Sequence, residues 1–276
     1  MAYPAPRPTV ETMTGSFSAP RLGAHVSKNL LLEESAVTGS EVVQLFLSSN
    51  RSWAPPVLSE EFLGSVERIA VYVHAPYLVN PASRDPVVRR RSKENLVAQF
   101  RAAERIGALG VIVHGGHLAG EGSLADGIAG WLEVLSGWSS EVPLLIENTA
   151  GGSSAMARRF EDFQRLFEAV ERHGCRVGVC LDTCHAWAGG EALGTAVERL
   201  RSFAGRIDLL HVNDSRDTFD SGRDRHANLG DGNVPFESIL EVVAAADCDA
   251  VVETPNGPAR MAEDLALLRR GLSGAV

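Results

Sequence analysis

The amino-acid sequence alternates between short β-rich runs and stretches with helical periodicity, and this alternation constrains the fold more than any other feature. The predicted strands are Leu22–Val26, Val42–Leu47, Ile69–Val73, Val111–Val113, Leu144–Ile146, Val177–Leu181, Leu209–Val212 and Ala250–Val252. The predicted helices are clearest at Val87–Ile106, Arg159–His173, Leu193–Phe203, Phe236–Ala245 and Ala259–Leu272, with weaker signals after the first strand and within Glu60–Arg68. Eight β-then-α units in a chain of 276 residues predict an α/β fold, a single-domain (β/α)8 TIM barrel.

A doubly wound open sheet is the alternative arrangement for alternating strands and helices. It is disfavoured because no G-x-G-x-x-G motif follows the first strand. The first 20 residues are rich in Pro, Ser and Thr and lack apolar periodicity, so residues 1–20 are predicted to form a flexible extension. Residues 21–276 are then predicted to form the barrel domain.

Composition narrows the setting in which such a barrel works. The formal net charge of −9 argues against a protein that grips nucleic acid through a broad basic surface, although bound divalent metals would make a local site positive. The four cysteines include no C-x-x-C pair, which favours reduced thiols over a zinc ribbon. The sequence has no apolar run of about 18 residues and no apolar signal core at its N-terminus. We therefore expect a cytoplasmic protein without a membrane segment.

Histidine and acidic residues follow the predicted strands at the point where each strand ends. They are His74, His114, Glu147, Asp182, His185, His211 and Glu253, and Asp224 and His226 lie in the loop that follows the seventh strand. The C-terminal ends of the strands surround one mouth of a TIM barrel, and catalytic groups lie there. A single histidine at a strand end is usually a hydrogen-bonded structural residue, but a set in phase over six consecutive strands indicates a metal centre. Imidazole and carboxylate donors suit Zn²⁺, Mn²⁺ or Fe²⁺, and so many ligands match two or three ions.

Three segments around these residues resemble the signature segments of the endonuclease IV family of abasic-site (AP) endonucleases. The segments are LLIENTAG at 144–151, VGVCLDTCHAWAGG at 177–190 and DRHANLGDGN at 224–233. GAHVS at Gly23–Ser27 also resembles the first strand of the family. The resemblance extends from Arg21 to near the C-terminus, and it implies a TIM barrel of the xylose-isomerase-like superfamily.

The resemblance also implies three Zn²⁺ ions per chain, with Mn²⁺ an alternative at one or more sites. By this resemblance, one zinc is held by His74, His114 and Glu147; Glu147 bridges to a second zinc held by Asp182, His211 and Glu253; and the third is held by His185, Asp224 and His226. The residues implied in catalysis are Glu147, His114, Asp182 and Glu253.

The implied activity is that of a metal-dependent phosphodiesterase, a deoxyribonuclease of base excision repair. Such an enzyme hydrolyses the phosphodiester 5′ to an abasic site, leaving a 3′-hydroxyl and a 5′-deoxyribose phosphate, and also trims 3′-blocking groups. The implied partner is double-stranded DNA containing abasic or 3′-blocked lesions, bound by a monomeric enzyme. Arg51 and Trp53 in SSNRSW, and Tyr77 three residues beyond His74, match family positions at the DNA interface.

Two other functions are compatible with parts of this pattern. A metal-dependent sugar isomerase or epimerase of the same superfamily would use one or two metals, but His185, Asp224 and His226 are surplus to such an enzyme. A DNA-binding or scaffolding protein without catalysis agrees with altered mouth loops, such as the short turn HGGHL at 114–118, but not with a complete ligand set. Asp214 and other nearby carboxylates are expected to orient imidazole N–H groups.

Overall fold

A closed barrel of parallel strands forms the centre of the molecule. The computed structural model describes residues 20–118, 120, 122–152 and 154–274. The strands are β1 (Leu22–His25), β2 (Val42–Leu45), β3 (Ala70–His74), β4 (Val111–His114), β5 (Leu144–Glu147), β6 (Val177–Asp182), β7 (Leu209–His211), β8 (Asp214–Ser215), β9 (His226–Ala227) and β10 (Asp249–Val252). Strands β1 to β7 and β10 close the barrel, with β1 paired to both β2 and β10, while β8 and β9 form a separate antiparallel pair. The predicted barrel is confirmed; the predicted extension lies outside the described residues except for Pro20 and stays a prediction.

Helices connect successive strands and cover the outside of the barrel. In the described part of the chain they are α1 (Leu31–Thr38), α2 (Glu60–Val66), α3 (Pro86–Arg105), α4 (Leu124–Leu135), α5 (Phe160–Arg172), α6 (Thr183–Gly189), α7 (Leu193–Ala204), α8 (Phe236–Ala246) and α9 (Pro258–Gly274). The clearest sequence predictions agree with α3, α5, α7, α8 and α9 to within two residues at each end. Within the same ranges, no helix combines the length and apolar character needed to cross a membrane.

Helices α4 and α6 are absent from the sequence prediction. Helix α4 begins with a capping box, in which Ser123 Oγ accepts from the Asp126 N–H and the Asp126 carboxylate accepts from the Ser123 N–H. Glycines inside α4 weaken its helical signal. One of them, Gly130, is required by close packing, because a Cβ there would lie 2.6 Å from the carbonyl oxygen of Pro81. Helix α6 is short and follows β6 without a loop, so the strand pattern obscures it.

Apolar side chains cover both faces of the barrel wall, and those on the inner face explain the position of the mouth residues. The inner layer consists of Val42, Tyr72, Ile112, Leu145, Cys180, Leu209 and Val251. Side chains alternate between the two faces of a strand, so the residue two positions further along also points into the barrel. Those residues are Gln44, His74, His114, Glu147, Asp182, His211 and Glu253. The strand period therefore brings a ring of polar side chains together directly above an apolar floor.

All four cysteines lie in the described part of the chain as free thiols. Cys180 and Cys184 are buried, and Cys175 and Cys248 are partly buried. Cys180 belongs to the inner apolar layer, whereas Cys184 lies in α6 beside the mouth.

Candidate metal centre

The strand register places the predicted ligands side by side at the mouth. His74, His114, Glu147, Asp182 and His211 are each the last residue of a barrel strand. His114 pairs in register with Glu147 on the neighbouring strand, and Asp182 pairs with His211. Adjacent strands in a sheet are about 5 Å apart, so a pattern spread over the whole sequence becomes one compact cluster.

A first group joins two imidazoles to one oxygen of Glu147. The Nε2 atoms of His74 and His114 lie 3.2 and 3.1 Å from Glu147 Oε2. One ligand atom from each of the three residues falls within 4.8 Å of the others. His74 Nδ1 lies 2.7 Å from the carbonyl oxygen of Ala75. The ring N–H is therefore used by the backbone, and the lone pair of Nε2 faces the group.

A second group uses the other oxygen of Glu147. His211 Nδ1 lies 3.1 Å from Glu147 Oε1 and 3.1 Å from Glu253 Oε2. Asp182 Oδ2 is 3.9 Å from the same nitrogen, and one atom from each of the four residues falls within 4.8 Å of the others. Glu147 thus presents one oxygen to each group, and it would be shared by two ions if both groups held a metal.

A third group comes from segments beyond the barrel strands. The Nε2 atoms of His185 and His226 lie 3.2 Å from the two oxygens of Asp224, Oδ2 and Oδ1 respectively. The sequence interpretation put His185 at a strand end and His226 in a loop, and both placements are wrong. His185 lies in the first turn of α6, because Asp182 caps a helix directly after β6. His226 lies in β9, where it pairs with Ser215 of β8.

The loop that carries Asp224 is tied down at several points. The Asp220 carboxylate accepts hydrogen bonds from Arg158 and Arg159 at 2.9 and 3.0 Å. Near these contacts the loop backbone touches the turn after β5, since a Cβ on Gly151 would lie 1.8 Å from the carbonyl oxygen of Gly222. This backbone-to-backbone approach is available only to glycine. Asp224, whose side chain is 53% exposed, is therefore carried by a loop that is held in place.

Unsatisfied buried atoms indicate that the third group fits a cation. His185 Nε2 and His226 Nε2 are buried and make no hydrogen bond of normal geometry, although each lies 3.2 Å from an oxygen of Asp224. Asp182, Cys184 and His226 form an alternative grouping of nearby donors. Burial raises the pKa of the Cys184 thiol to about 12, so it stays protonated near neutral pH. The oxygen and nitrogen donors of the three groups suit zinc or manganese better than calcium.

The charges in the cluster reinforce one another. Burial by itself would raise the pKa of Glu147, but imidazoles, His114 foremost, hold that pKa well below its usual range. Burial likewise opposes protonation of His226, yet the carboxylates of Asp182 and Asp224 raise its pKa to about 9. Ionised carboxylates and a protonated His226 thus stabilise one another in the protein, and metal binding would release the imidazole proton.

Two buried asparagines, which the sequence interpretation missed, hold Asp182: Asn148 through its backbone and Asn213 through its carboxylate. Asn148 Oδ1 accepts from the Asp182 N–H at 2.7 Å, and the Asn213 amide donates to Asp182 Oδ2 at 2.8 Å. Asn213 Oδ1 also accepts from the Glu253 N–H at 2.8 Å. Each asparagine directly follows a strand-end ligand or lies two residues beyond it, and that spacing was the available signal.

Gln44 was also missed, although it occupies the same ring as the ligands. It is fully buried, and its side chain contacts His211 and Glu253. Its place in the otherwise apolar strand VVQL, two residues after an inward-facing valine, was the available signal. His25 lies beside it, with Nδ1 3.2 Å from Glu253 Oε1.

Asp214 does not orient an imidazole, contrary to the expectation from its position. Its carboxylate accepts from the backbone N–H groups of Ser215, Gly230, Gly232 and Val234 at 2.7 to 3.1 Å. Asp214 therefore holds the turn after β9 in place, which is a backbone requirement that side-chain patterns do not reveal.

A cavity of about 250 Å³ opens beside the first and third groups, lined by residues that include Tyr77, His114 and Asp224. Tyr77 is 53% exposed and stacks on His114, with ring centroids 5.8 Å apart. Arg51 is exposed in the turn after β2. Trp53 is half-buried and lines a separate groove with Arg91, whose guanidinium lies 6.0 Å from the indole ring.

Comparison with known proteins identifies the family of this chain. Residues 32–271 match the family described as xylose isomerase-like TIM barrel. "Probable endonuclease 4" of Mycobacterium leprae is 44% identical over 254 residues, which cover 92% of this chain and 99% of the relative. The chain belongs to the endonuclease IV family. A second family member, "Probable endonuclease 4" of Mycobacterium tuberculosis, is 44% identical over 249 residues, covering 90% of this chain and 97% of the relative.

Solved structures agree with membership of the endonuclease IV family. Endonuclease IV from Thermus thermophilus superposes with a TM-score of 0.79 at 30% identity, covering 92% of this chain and 100% of that one. A D-tagatose 3-epimerase-like protein superposes with a TM-score of 0.70 at 20% identity, covering 92% of this chain and 97% of that one. The second likeness reflects the shared barrel alone.

Proposed function

We propose that this chain is a DNA-repair endonuclease that hydrolyses the phosphodiester 5′ to an abasic site with three bound Zn²⁺ ions. It would leave a 3′-hydroxyl and a 5′-deoxyribose phosphate, and would also trim 3′-blocking groups from double-stranded DNA. Membership of the endonuclease IV family makes the chain a hydrolytic nuclease. The abasic substrate, the number and identity of the metals, the monomeric state and the cytoplasmic location are the proposed part.

One observation carries the proposal: three groups of donors meet at the mouth, and the first two share Glu147. Sites with two metals about 3.5–4 Å apart are suited to in-line displacement at phosphorus. The third group supplies donors that a sugar isomerase with one or two metals does not need. The proposed metal ligands are His74, His114, Glu147, Asp182, His185, His211, Asp224, His226 and Glu253.

The protein residues divide into an inner and an outer side of the cluster. Bound zinc would act as a Lewis acid that stabilises charge on a phosphate, and it would lower the pKa of a bound water to about 7. Glu147 and His211 are 0% exposed, so they hold the inner side away from bulk water. The side chains of His114 and Asp224 are 25% and 53% exposed and line the cavity. A phosphodiester would therefore reach the cluster from the cavity side.

Contacts with DNA are proposed for the rim of the same cavity. The exposed ring of Tyr77, stacked on His114, offers a flat surface beside the reacting phosphate. Arg51 projects from the turn after β2, where its guanidinium would enter DNA at the lesion. Trp53 would support that turn, since its ring packs against the outer apolar core and lies 6.0 Å from the Arg91 guanidinium. A sugar without a base is easily displaced from the helix, which favours abasic sites.

The test uses purified protein of known metal content and an end-labelled duplex with one abasic-site analogue. We expect incision on the 5′ side, loss of incision after prolonged chelation, and no incision by Glu147→Gln. Glu198→Gln, which alters an exposed glutamate on the outer helix α7, is the matched control and should cut like the wild type. Full metal loading without incision would contradict the repair function, and turnover of a ketose by such a protein would favour an epimerase.

A further inference from the structure

Gln44 is a buried amide that links two of the proposed metal ligands. We propose that Gln44 is a positioning residue, which selects the nitrogen that His211 offers to the second metal and the oxygen that Glu253 offers to the same metal. This inference rests on the proposed metal centre and adds to it a residue from a strand that supplies no ligand.

The position of Gln44 in β2 places its side chain in the ring at the mouth. Gln44 lies two residues after Val42 of the inner apolar layer and pairs in register with His25 of β1. It is 0% exposed. An amide taken from water into such a place requires hydrogen-bond partners on both its oxygen and its nitrogen, so its contacts determine what it does there.

The contacts of the amide fix its orientation. Gln44 Oε1 lies 2.6 Å from His211 Nε2, and Gln44 Nε2 donates to Glu253 Oε1 at 2.6 Å. The same amide nitrogen lies 2.9 Å from His25 Nδ1. Of the two polar atoms of the amide, only the nitrogen can donate to the Glu253 carboxylate. The amide oxygen therefore faces His211 and accepts from its Nε2–H.

This orientation decides which atoms face the metal position. With the proton of His211 held on Nε2, the lone pair of its Nδ1 points toward Glu147 Oε1 and Glu253 Oε2, each 3.1 Å away. With Glu253 Oε1 held by the amide, Oε2 is the oxygen left for the second group. A single side chain on β2 thus sets the ligand atoms of both β7 and the residue after β10. Partners of this kind typically change metal affinity 10- to 100-fold.

Two substitutions separate positioning from packing. Gln44→Leu removes the hydrogen bonds to His211 and Glu253 while keeping a side chain of similar size. Gln44→Glu keeps the acceptor for His211 but places a second carboxylate against Glu253. The matched control is Gln99→Leu, because Gln99 is also 0% exposed but its amide contacts Ser48 and Asn95 rather than any proposed ligand.

The first measurement is zinc stoichiometry and affinity without DNA, by elemental analysis and by competition with a chromophoric chelator. We expect Gln44→Leu to bind one zinc roughly 10- to 100-fold more weakly than the wild type, and Gln44→Glu to weaken the same zinc. Gln99→Leu should keep wild-type affinity. Circular dichroism of each chelated variant establishes that it folds; if Gln44→Leu does not, Gln44→Glu, which is isosteric, decides the result.

The second measurement reads the imidazole directly. In zinc-loaded protein with ¹⁵N-labelled histidine, the Nε2–H signal that His211→Gln removes should move in Gln44→Leu and stay in place in Gln99→Leu. Unchanged zinc affinity, or an unchanged His211 signal, in the Gln44 variants would overturn the inference. Failure of the wild type to take up zinc would instead remove the proposed metal centre, so the two failures are distinguishable.

Discussion

At the scale of single residues, His74 and His185 each use one ring nitrogen for the backbone and the other for the cluster. His74 Nδ1 lies 2.7 Å from the Ala75 carbonyl oxygen, and His185 Nδ1 lies 3.0 Å from the Asn148 carbonyl oxygen. These backbone oxygens accept the Nδ1 proton, which leaves Nε2 as the nitrogen that a metal would bind. The same arrangement turns His185 Nε2 toward Asp224 Oδ2, 3.2 Å away.

The exposed carboxylate of the third group should be separable from the other two groups. We expect Asp224→Asn to lose one of three bound zinc ions and retain two, because Asp224 approaches only His185 and His226 among the proposed ligands. Elemental analysis after gel filtration measures the remaining zinc. Loss of all metal from the variant would contradict three separable groups.

Arg51 should affect DNA binding without affecting metal content. Its side chain is exposed in the turn after β2, and exposed arginines supply many protein contacts to DNA. We expect Arg51→Ala to bind abasic duplex roughly tenfold more weakly, about 1.4 kcal/mol, as measured by fluorescence anisotropy with chelated protein. Arg172→Ala, at the C-terminal end of α5 and thus at the opposite end of the barrel, is the control. Equal weakening by both would indicate a general charge effect.

At the scale of elements, the barrel strands were predictable because short, nearly continuous apolar runs between helical patterns are distinctive. Short elements that depend on a few hydrogen bonds were not predictable from the sequence. Helix α6 begins because Asp182 Oδ1 accepts from the His185 N–H at 2.7 Å, and the pair β8–β9 spans only two residues on each side. Short elements of this kind depend on tertiary contacts, which local sequence patterns do not contain. The ligand residue types were evident from the strand ends, whereas Gln44 required knowledge of which strand face is inward.

Helix α9 holds two ligand-bearing segments through one buried carboxylate. Asp264 is 1% exposed and accepts from the Asn228 amide at 2.6 Å and from the Thr254 hydroxyl at 2.6 Å. Asn228 and Thr254 lie close in sequence to His226 and Glu253. The packing of α9 is thereby coupled to the second and third groups.

Removal of this carboxylate should destabilise the protein. We expect Asp264→Ala to lower the free energy of unfolding by about 3 kcal/mol, because buried donors lose their acceptor. Urea unfolding of chelated protein measures the change. The control Asp231→Ala removes an exposed carboxylate that pairs with Arg260 of α9. It should lower the free energy of unfolding by about 0.5 kcal/mol or less. Similar losses in both variants would show that burial of Asp264 is not the cause.

At the scale of the whole molecule, metal and pH should act together on stability. Asp182 and Asp224 act against burial to raise the pKa of His226 from 6.5 to about 9. A folded-state pKa above the unfolded value stabilises the metal-free protein below pH 6.5, and this contribution is lost as pH rises toward 9. Zinc requires neutral imidazoles, so its affinity rises over the same window.

The difference in melting temperature between zinc-loaded and chelated protein should therefore widen from pH 6.5 to about 9. Differential scanning calorimetry of both forms at several pH values measures it. A chelated protein whose melting temperature rises through this window would contradict the charge balance described for the cluster.

The barrel closes where its first strand, β1, pairs with its last, β10. Glu253 directly follows β10, whereas its amide partner Gln44 lies in β2, so they meet only when the final strand has docked. Before β10 has left the ribosome, the barrel of the nascent chain is open between β1 and β7 and lacks the Glu253 carboxylate. The proposed metal centre is therefore incomplete until β10 has been synthesised and has docked against β1.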